Sequence, residues 1–65
     1  MNWDQIKGSW KEMKGKAREN WGELTDDELE EAAGHREQMV GLIQKKYGKT
    51  KEDAEREVDT WSSSV

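Results

Sequence analysis

Side chains that could take part in chemistry are few in this chain, and His35 is its only histidine. It follows Glu31 by four residues, so a helix would place an imidazole and a carboxylate on one face, where the pair could hold a divalent metal ion. Zinc sites use three or four protein ligands, so two are too few. We therefore predict no metal and no cofactor, with His35 exposed or at a helix end.

A cluster of five acids raises the question of calcium binding: Asp26, Asp27, Glu28, Glu30 and Glu31. The cluster lacks the glycine-containing ligand loop of an EF-hand. Acids are favoured in the first turn of a helix, where the helix dipole stabilises them, so we interpret the cluster as a helix start. The chain has no cysteine, and its residue types do not supply a nucleophile, a base and an orienting group together. We predict that the protein is not an enzyme.

A basic strip is the strongest candidate for partner binding. Its members are spaced by four, three and four residues, which places them on one helical face: Lys7, Lys11, Lys14 and Arg18. Gly8 and Gly15 lie beside the strip and would leave backbone accessible. Two interpretations stay open: the strip binds phosphates of nucleic acid or anionic lipid, or it is a solvated face that complements the acidic helix. The pI near 4.9 and the lack of aromatic residues on that face disfavour the first.

Tryptophan is the other residue type that could mark a binding surface, because it is enriched at interface hot spots. The chain has four: Trp3, Trp10, Trp21 and Trp61. Their helical spacing and the shortage of other large apolar residues favour the core instead. Trp3, which is close to a chain end, is the one that we expect to be most exposed and available to a partner.

Composition indicates which elements must position these residues. The chain has 65 residues, 40% of them charged, with a net charge of −4 and no proline, cysteine or phenylalanine. That length allows one small domain, and the abundance of Glu, Lys, Gln and Arg is typical of helices. No apolar run approaches membrane-spanning length, and the residues after Met1 do not form a signal peptide. We therefore expect a cytoplasmic protein.

Apolar spacing and capping residues predict four helices. Trp3, Ile6 and Trp10 begin a stripe with helical periodicity, and Thr25 with Glu28 forms a capping box. Thr50 with Asp53 repeats the cap signal in weaker form. The predicted helices cover residues 3–20, 26–33, 35–47 and 51–61. We expect one domain over residues 1–61, and a frayed, serine-rich tail over residues 62–65.

The two halves of the chain resemble each other, which favours two helix–corner–helix units. Glycines recur every seven residues in each half: Gly8, Gly15 and Gly22, then Gly34, Gly41 and Gly48. Each unit has only one apolar face, so the two must pack together in an all-α fold with a single small core. The residues expected to form most of that core are Trp3, Ile6, Trp10, Met13, Trp21, Leu29, Val40, Ile43, Tyr47, Val58 and Trp61.

The sequence resembles the CsbD-like family of small bacterial general-stress proteins over residues 2–61. The segments that carry the resemblance are Trp3-Asp4-Gln5-Ile6-Lys7-Gly8, Trp10-Lys11, Lys14-Gly15-Lys16, Trp21-Gly22, Leu24-Thr25-Asp26-Asp27, Gly34, Gly41, Tyr47-Gly48, Ala54-Glu55 and Trp61. The resemblance implies two orthogonally packed α-hairpins, similar to a SAM-domain arrangement, in a cytoplasmic protein that is plentiful under general stress or in stationary phase. It implies no catalytic or binding residues.

Two functions follow from these observations. The first is a non-catalytic stress protein that protects in the manner of a hydrophilin, because the chain combines a mean hydropathy of −1.30 with six glycines. The second is a helical binding module that docks a protein or a polyanion through the basic strip. We expect a monomer, and the sequence does not name a partner.

Overall fold

The computed structural model describes residues 1–65 and contains helices but no strands, which confirms the all-α fold class. There are five helices where four were predicted: α1 (Trp3–Gly8), α2 (Trp10–Asn20), α3 (Asp26–Ala32), α4 (Arg36–Tyr47) and α5 (Lys51–Ser64). Each helix from α2 to α4 packs against the next one along the chain, and the contact between α4 and α5 is the most extensive. The packed helices enclose one core.

The extra helix arises because the predicted first helix is interrupted at Ser9, whose φ of −113° and ψ of 28° are not helical. The Ser9 N–H donates to the carbonyls of Gln5 and Ile6 at 3.0 and 3.2 Å, so it closes α1. The Ser9 carbonyl accepts from the Met13 N–H at 2.9 Å and opens α2. Gly8, a weak helix former, precedes the break. The uninterrupted helix predicted over residues 3–20 is therefore wrong at one position.

Side-chain caps fix where the helices begin. Thr25 accepts from the Glu28 N–H, and the Glu28 carboxylate accepts from the Thr25 N–H, which is the predicted capping box. Thr50 accepts from the Asp53 N–H at 3.2 Å, as predicted. Asn2 forms a further capping box with Gln5 at the start of α1. Each cap satisfies backbone donors that the first turn of a helix leaves unpaired.

The core contains fourteen buried apolar residues: Ile6, Trp10, Met13, Ala17, Trp21, Leu24, Leu29, Ala32, Met39, Val40, Ile43, Ala54, Val58 and Trp61. Nine of the eleven predicted core residues are among them. The other two, Trp3 and Tyr47, are half-buried and pack on its edge. Tyr47 stays at the edge because its hydroxyl accepts from the backbone N–H of Glu23 at 3.2 Å.

Tryptophan side chains connect helices that are distant along the chain. The Trp61 ring lies between Trp21 and Trp3, with centroid distances of 5.4 and 6.1 Å and tilted planes, so α5 contacts both ends of the α1–α2 segment. The Trp10 indole N–H donates to the buried carbonyl of Leu29 at 2.7 Å and joins α2 to α3. All four tryptophans therefore have structural contacts, as the core interpretation predicted.

The last helix is longer than predicted. It continues to Ser64, so the predicted end of this helix at residue 61 is wrong, and the fraying expected over residues 62–65 stays a prediction. Ser62 is only 7% exposed, and its carbonyl accepts from the amino group of Met1 at 2.9 Å. The hydroxyls of Ser62 and Ser64 donate to the carbonyls of Asp59 and Trp61, each three residues earlier.

A tight corner between α3 and α4 depends on Gly34. Its φ is +81°, in the left-handed region that favours glycine. A methyl group at this position would lie 2.8 Å from the Cα of Lys7. Gly34 therefore lets α1 approach the corner closely. Gly41, in the middle of α4, has nothing within 4 Å of the equivalent position.

Replacing these two glycines by alanine should have opposite effects. Gly34→Ala should lower the free energy of unfolding by about 2 kcal/mol or more, because it adds both left-handed strain and a clash with the α1 backbone. Gly41→Ala should raise it by up to about 1 kcal/mol, since alanine is the better helix former. Urea unfolding followed by tryptophan fluorescence measures both changes. Equal effects of the two substitutions would contradict this role of the corner.

Candidate interaction surface

Only part of the basic strip is exposed and free of ion pairs. Lys7, Lys11 and Arg18 are exposed and form no ion pair, whereas the Lys14 side chain is only 16% exposed and contacts α3. Gly15 lies on the same side of α2, is exposed and has open space around it. The predicted neighbours Gly8 and Trp3 lie on α1: Gly8 is exposed, and Trp3 packs on the core edge.

Lys14 joins the strip to the acidic cluster. Its Nζ lies 3.1 Å from Oδ1 of Asp26 and also pairs with Glu30, one turn further along α3. The hydrogen bond to Glu30, followed by the one to Asp26, raises the pKa of Lys14 above its ordinary value. At this residue, the strip complements the acidic helix as the second interpretation proposed.

Ion pairs also join the later helices to one another. Lys46 of α4 lies 3.1 Å from Glu28 of α3. Arg36, the first residue of α4, holds Asp59 of α5 through two parallel hydrogen bonds of 2.8 and 3.0 Å. Residues 23–34 carry six acids and no base, and residues 35–51 carry five bases and one acid, but this alternation of charge does not show which residues meet. Arg36 and Asp59 are 23 positions apart, and no local spacing signals their contact.

These pairs change the protonation of the acids that form them. The pKa of Glu28 is lowered, first by the Thr25 backbone N–H and then by Lys46. The pKa of Asp59 is lowered by the hydrogen bond from Arg36. Hydrogen bonds from Lys49 and from the Trp21 indole lower the pKa of Glu57, whose carboxylate lies 2.6 Å from Lys49 and 3.1 Å from the indole nitrogen. Each of these acids is stabilised in its charged form.

No group of three or more His, Cys, Asp or Glu residues is arranged to hold a metal ion. His35 is exposed and occupies the N-cap position of α4, the helix-end location predicted for it. No buried side-chain nitrogen or oxygen atom lacks a hydrogen-bond partner. The concave features are three open clefts, of about 210 Å³ between α3 and α4 and of about 290 and 360 Å³ beside Trp61.

Almost all large hydrophobic residues are buried or half-buried. Met1 is the only exposed large hydrophobic residue, with 41% of its surface accessible to solvent. None of the five helices combines the length and the apolar character needed to cross a membrane. The fold and the surface together define a small helical protein with a densely charged exterior and a single core.

Sequence comparisons place this molecule among known proteins. The CsbD-like family model matches residues 4–56. The chain is 57% identical over 61 residues to the UPF0337 protein ECA0631 of Pectobacterium atrosepticum, covering 94% of this chain and 88% of the relative. It is 55% identical to the UPF0337 protein PA4738 of Pseudomonas aeruginosa over the full length of both. It is 49% identical to the UPF0337 protein YjbJ of Escherichia coli K12 over 97% of this chain and 91% of the relative. The chain belongs to the CsbD-like family of general-stress-response proteins.

Acid should destabilise the fold through the paired carboxylates. The pKa of each of Glu28, Glu57 and Asp59 is lower in the folded protein than in the unfolded chain. Their contribution is therefore complete above the unfolded pKa near 4 and is lost as the pH falls through the folded value. The urea midpoint should stay level from about pH 7 to about pH 5 and then fall towards about pH 2.

A single substitution shows how much of the fall in the urea midpoint at acid pH is due to Asp59. Asp59→Asn should flatten the acid limb and lower stability at neutral pH by about 1 kcal/mol or less, since the Asp59 side chain is partly exposed. Glu23→Gln removes the same charge from an exposed residue that lies outside the helices and has no ion pair, so it should keep the wild-type slope. Urea midpoints measured at several pH values compare the two variants. The same change of slope in both would contradict the assignment to the Arg36–Asp59 pair.

Proposed function

We propose that the protein is a non-catalytic, cytoplasmic stress protein that protects other macromolecules in the manner of a hydrophilin under osmotic or stationary-phase stress. The observation that carries this proposal is the surface, where Met1 is the only exposed large hydrophobic residue. A chain with 40% charged residues and this surface stays hydrated and resists aggregation when water is lost. Family membership supports the stress setting.

The internal organisation is consistent with a role that needs no pocket. The helices use their apolar residues for one core, and the interhelical ion pairs lie at its margin. His35, the only histidine, is exposed at a helix end and lines none of the three clefts. A protective action would therefore depend on the amount and hydration of the protein more than on any single residue.

A second candidate function is a binding module that uses the basic strip. It is favoured by the three residues of the strip that are exposed and form no ion pair, Lys7, Lys11 and Arg18. The acidic residues of α3, which already hold Lys14, lie directly beside them and would repel an approaching polyanion. We therefore rank docking of a polyanion below bulk protection.

A survival assay separates the two candidates. Cells that lack the gene would be complemented with the wild type, with Lys11→Glu/Arg18→Glu, or with Lys11→Leu/Arg18→Leu, and then exposed to osmotic stress. Bulk protection predicts wild-type survival with the charge-reversed variant, because its surface stays hydrophilic, and reduced survival with the leucine variant. Fluorescence of the purified proteins checks that both remain folded. Loss of survival with a folded, charge-reversed variant would overturn bulk protection in favour of specific docking.

A further inference from the structure

The exposed, unpaired charges that flank Lys14 differ in sign between the two helices of the α2–α3 hairpin. On α2, Lys11 and Arg18 are exposed and unpaired on the side that carries Lys14, whereas the exposed acids Glu12 and Glu19 lie on the far side of the helix. On α3, Asp27 and Glu31 are also exposed and unpaired. Each of these two pairs carries a single sign of charge, and the pairs belong to neighbouring helices. The hairpin therefore has one basic helix face and one acidic helix face.

Lys14 marks the seam between these faces. It is turned towards α3, where it pairs with Asp26 and Glu30. Lys11 and Arg18 lie one helical turn before and after Lys14, and helical periodicity places both on its side of α2 but farther from the core. Asp27 and Glu31 each follow a seam acid by one residue, which turns them outwards, and Glu31 also lines the cleft between α3 and α4. Across the hairpin the surface thus changes from positive, through a neutralised seam, to negative.

Such a surface is complementary to itself. A rotation of 180° about an axis along the seam places the basic side of one copy over the acidic side of the other, and the reverse. This is the geometry of a closed twofold interface, in which the same patch serves both partners. Lys11 and Arg18 of each copy would then face Asp27 and Glu31 of its partner.

Gly15 leaves room for close approach on this face. It lies in the middle of α2, between Lys11 and Arg18, where glycine weakens a helix relative to alanine. Nothing inside the molecule lies within 4 Å of the position that a methyl group would occupy. Gly41 is equally open, so the open space alone does not indicate a partner, but it would allow a partner helix to approach the bare backbone of α2 at Gly15.

We propose that the α2–α3 face is a self-association surface on which a second copy of this chain docks through the twofold axis along the seam. The helices have only 11 and 7 residues, so the contact is smaller than a standard interface and the dimer is weak. The protein is then a monomer in dilute solution and pairs reversibly as its concentration rises. This inference is independent of the protective function, which the survival assay tests separately.

Amide NMR spectra of the intact chain at increasing concentration test the proposal. At low salt, the amides around Lys11, Gly15, Arg18, Asp27 and Glu31 should shift together with a dissociation constant of about 1 mM, and diffusion should slow. About 0.3 M NaCl should suppress both effects, because exposed charges are screened beyond a few ångströms. Spectra without concentration dependence at low salt would overturn the proposal.

Charge reversal gives the sharper comparison. Lys11→Glu/Arg18→Glu should weaken association at least tenfold. Lys16→Glu/Lys51→Glu reverses two exposed lysines that also lack ion pairs but lie off this face, so it changes the net charge equally and should retain association. Mixing Lys11→Glu/Arg18→Glu with Asp27→Lys/Glu31→Lys should restore pairing that each protein alone has lost. If Lys11→Glu/Arg18→Glu and Lys16→Glu/Lys51→Glu weaken association equally, the proposal is overturned, because net charge alone would then explain the effect.

NMR spectra of the same kind also show whether a polyanion, rather than a second copy of this chain, binds the α2–α3 face. Titration with a single-stranded oligonucleotide at low salt should give at most weak shifts if the face is built for a second copy. Strong shifts confined to Lys7, Lys11 and Arg18, without shifts in α3 and without self-association, would overturn the proposal in favour of a polyanion. The dispersion of each variant's spectrum checks that its fold persists.

Discussion

The burial of Trp61 is the interaction on which the rest of the structure depends. Its ring is 4% exposed and contacts Trp3 from α1 and Trp21 from the end of α2. Burying a tryptophan removes about 150 Å² or more from water, which is about 4 kcal/mol at 25 cal/mol per Å². A domain of this size has a total stability of about 3–5 kcal/mol. One side chain therefore contributes about as much as the net stability that remains after chain entropy is subtracted.

Ion pairs complement this small core by selecting how the helices are arranged. Lys14 links α2 to α3, Lys46 links α3 to α4, and Arg36 links α4 to α5. Partly exposed pairs of this kind add only about 0–1 kcal/mol each, so they orient more than they stabilise. An apolar core built largely from single helical stripes would tolerate sliding between helices, and fixed charge partners oppose it. The high charge content thus serves both the fold and the surface.

Local rules predicted the elements of the fold and missed what depends on distant contacts. The Thr25 cap and the stripe through Trp10 are determined by neighbouring residues, so their predictions were confirmed. The break at Ser9 was missed because the apolar spacing continues through it unchanged. Leu24 is buried although it lies outside any helix, where periodicity says nothing about burial. The strip was found from spacing, but the pairing of Lys14 with α3 depends on how the helices pack.

The contacts that hold α1 in place differ from those of the other helices. No ion pair joins α1 to the rest of the molecule; its anchors are Ile6 in the core, Trp3 against Trp61, and Gly34, whose bare backbone admits α1. Excluded osmolytes strengthen apolar burial, whereas dissolved salts screen charge pairs. When the concentrations of osmolytes and salts both rise, they act on different parts of this chain. Osmolytes strengthen the docking of α1, and salts weaken the ion pairs that join α2 to α3, α3 to α4 and α4 to α5. The relative contributions of apolar burial and ion pairs to the stability of this fold therefore change with the solutes in the surrounding water.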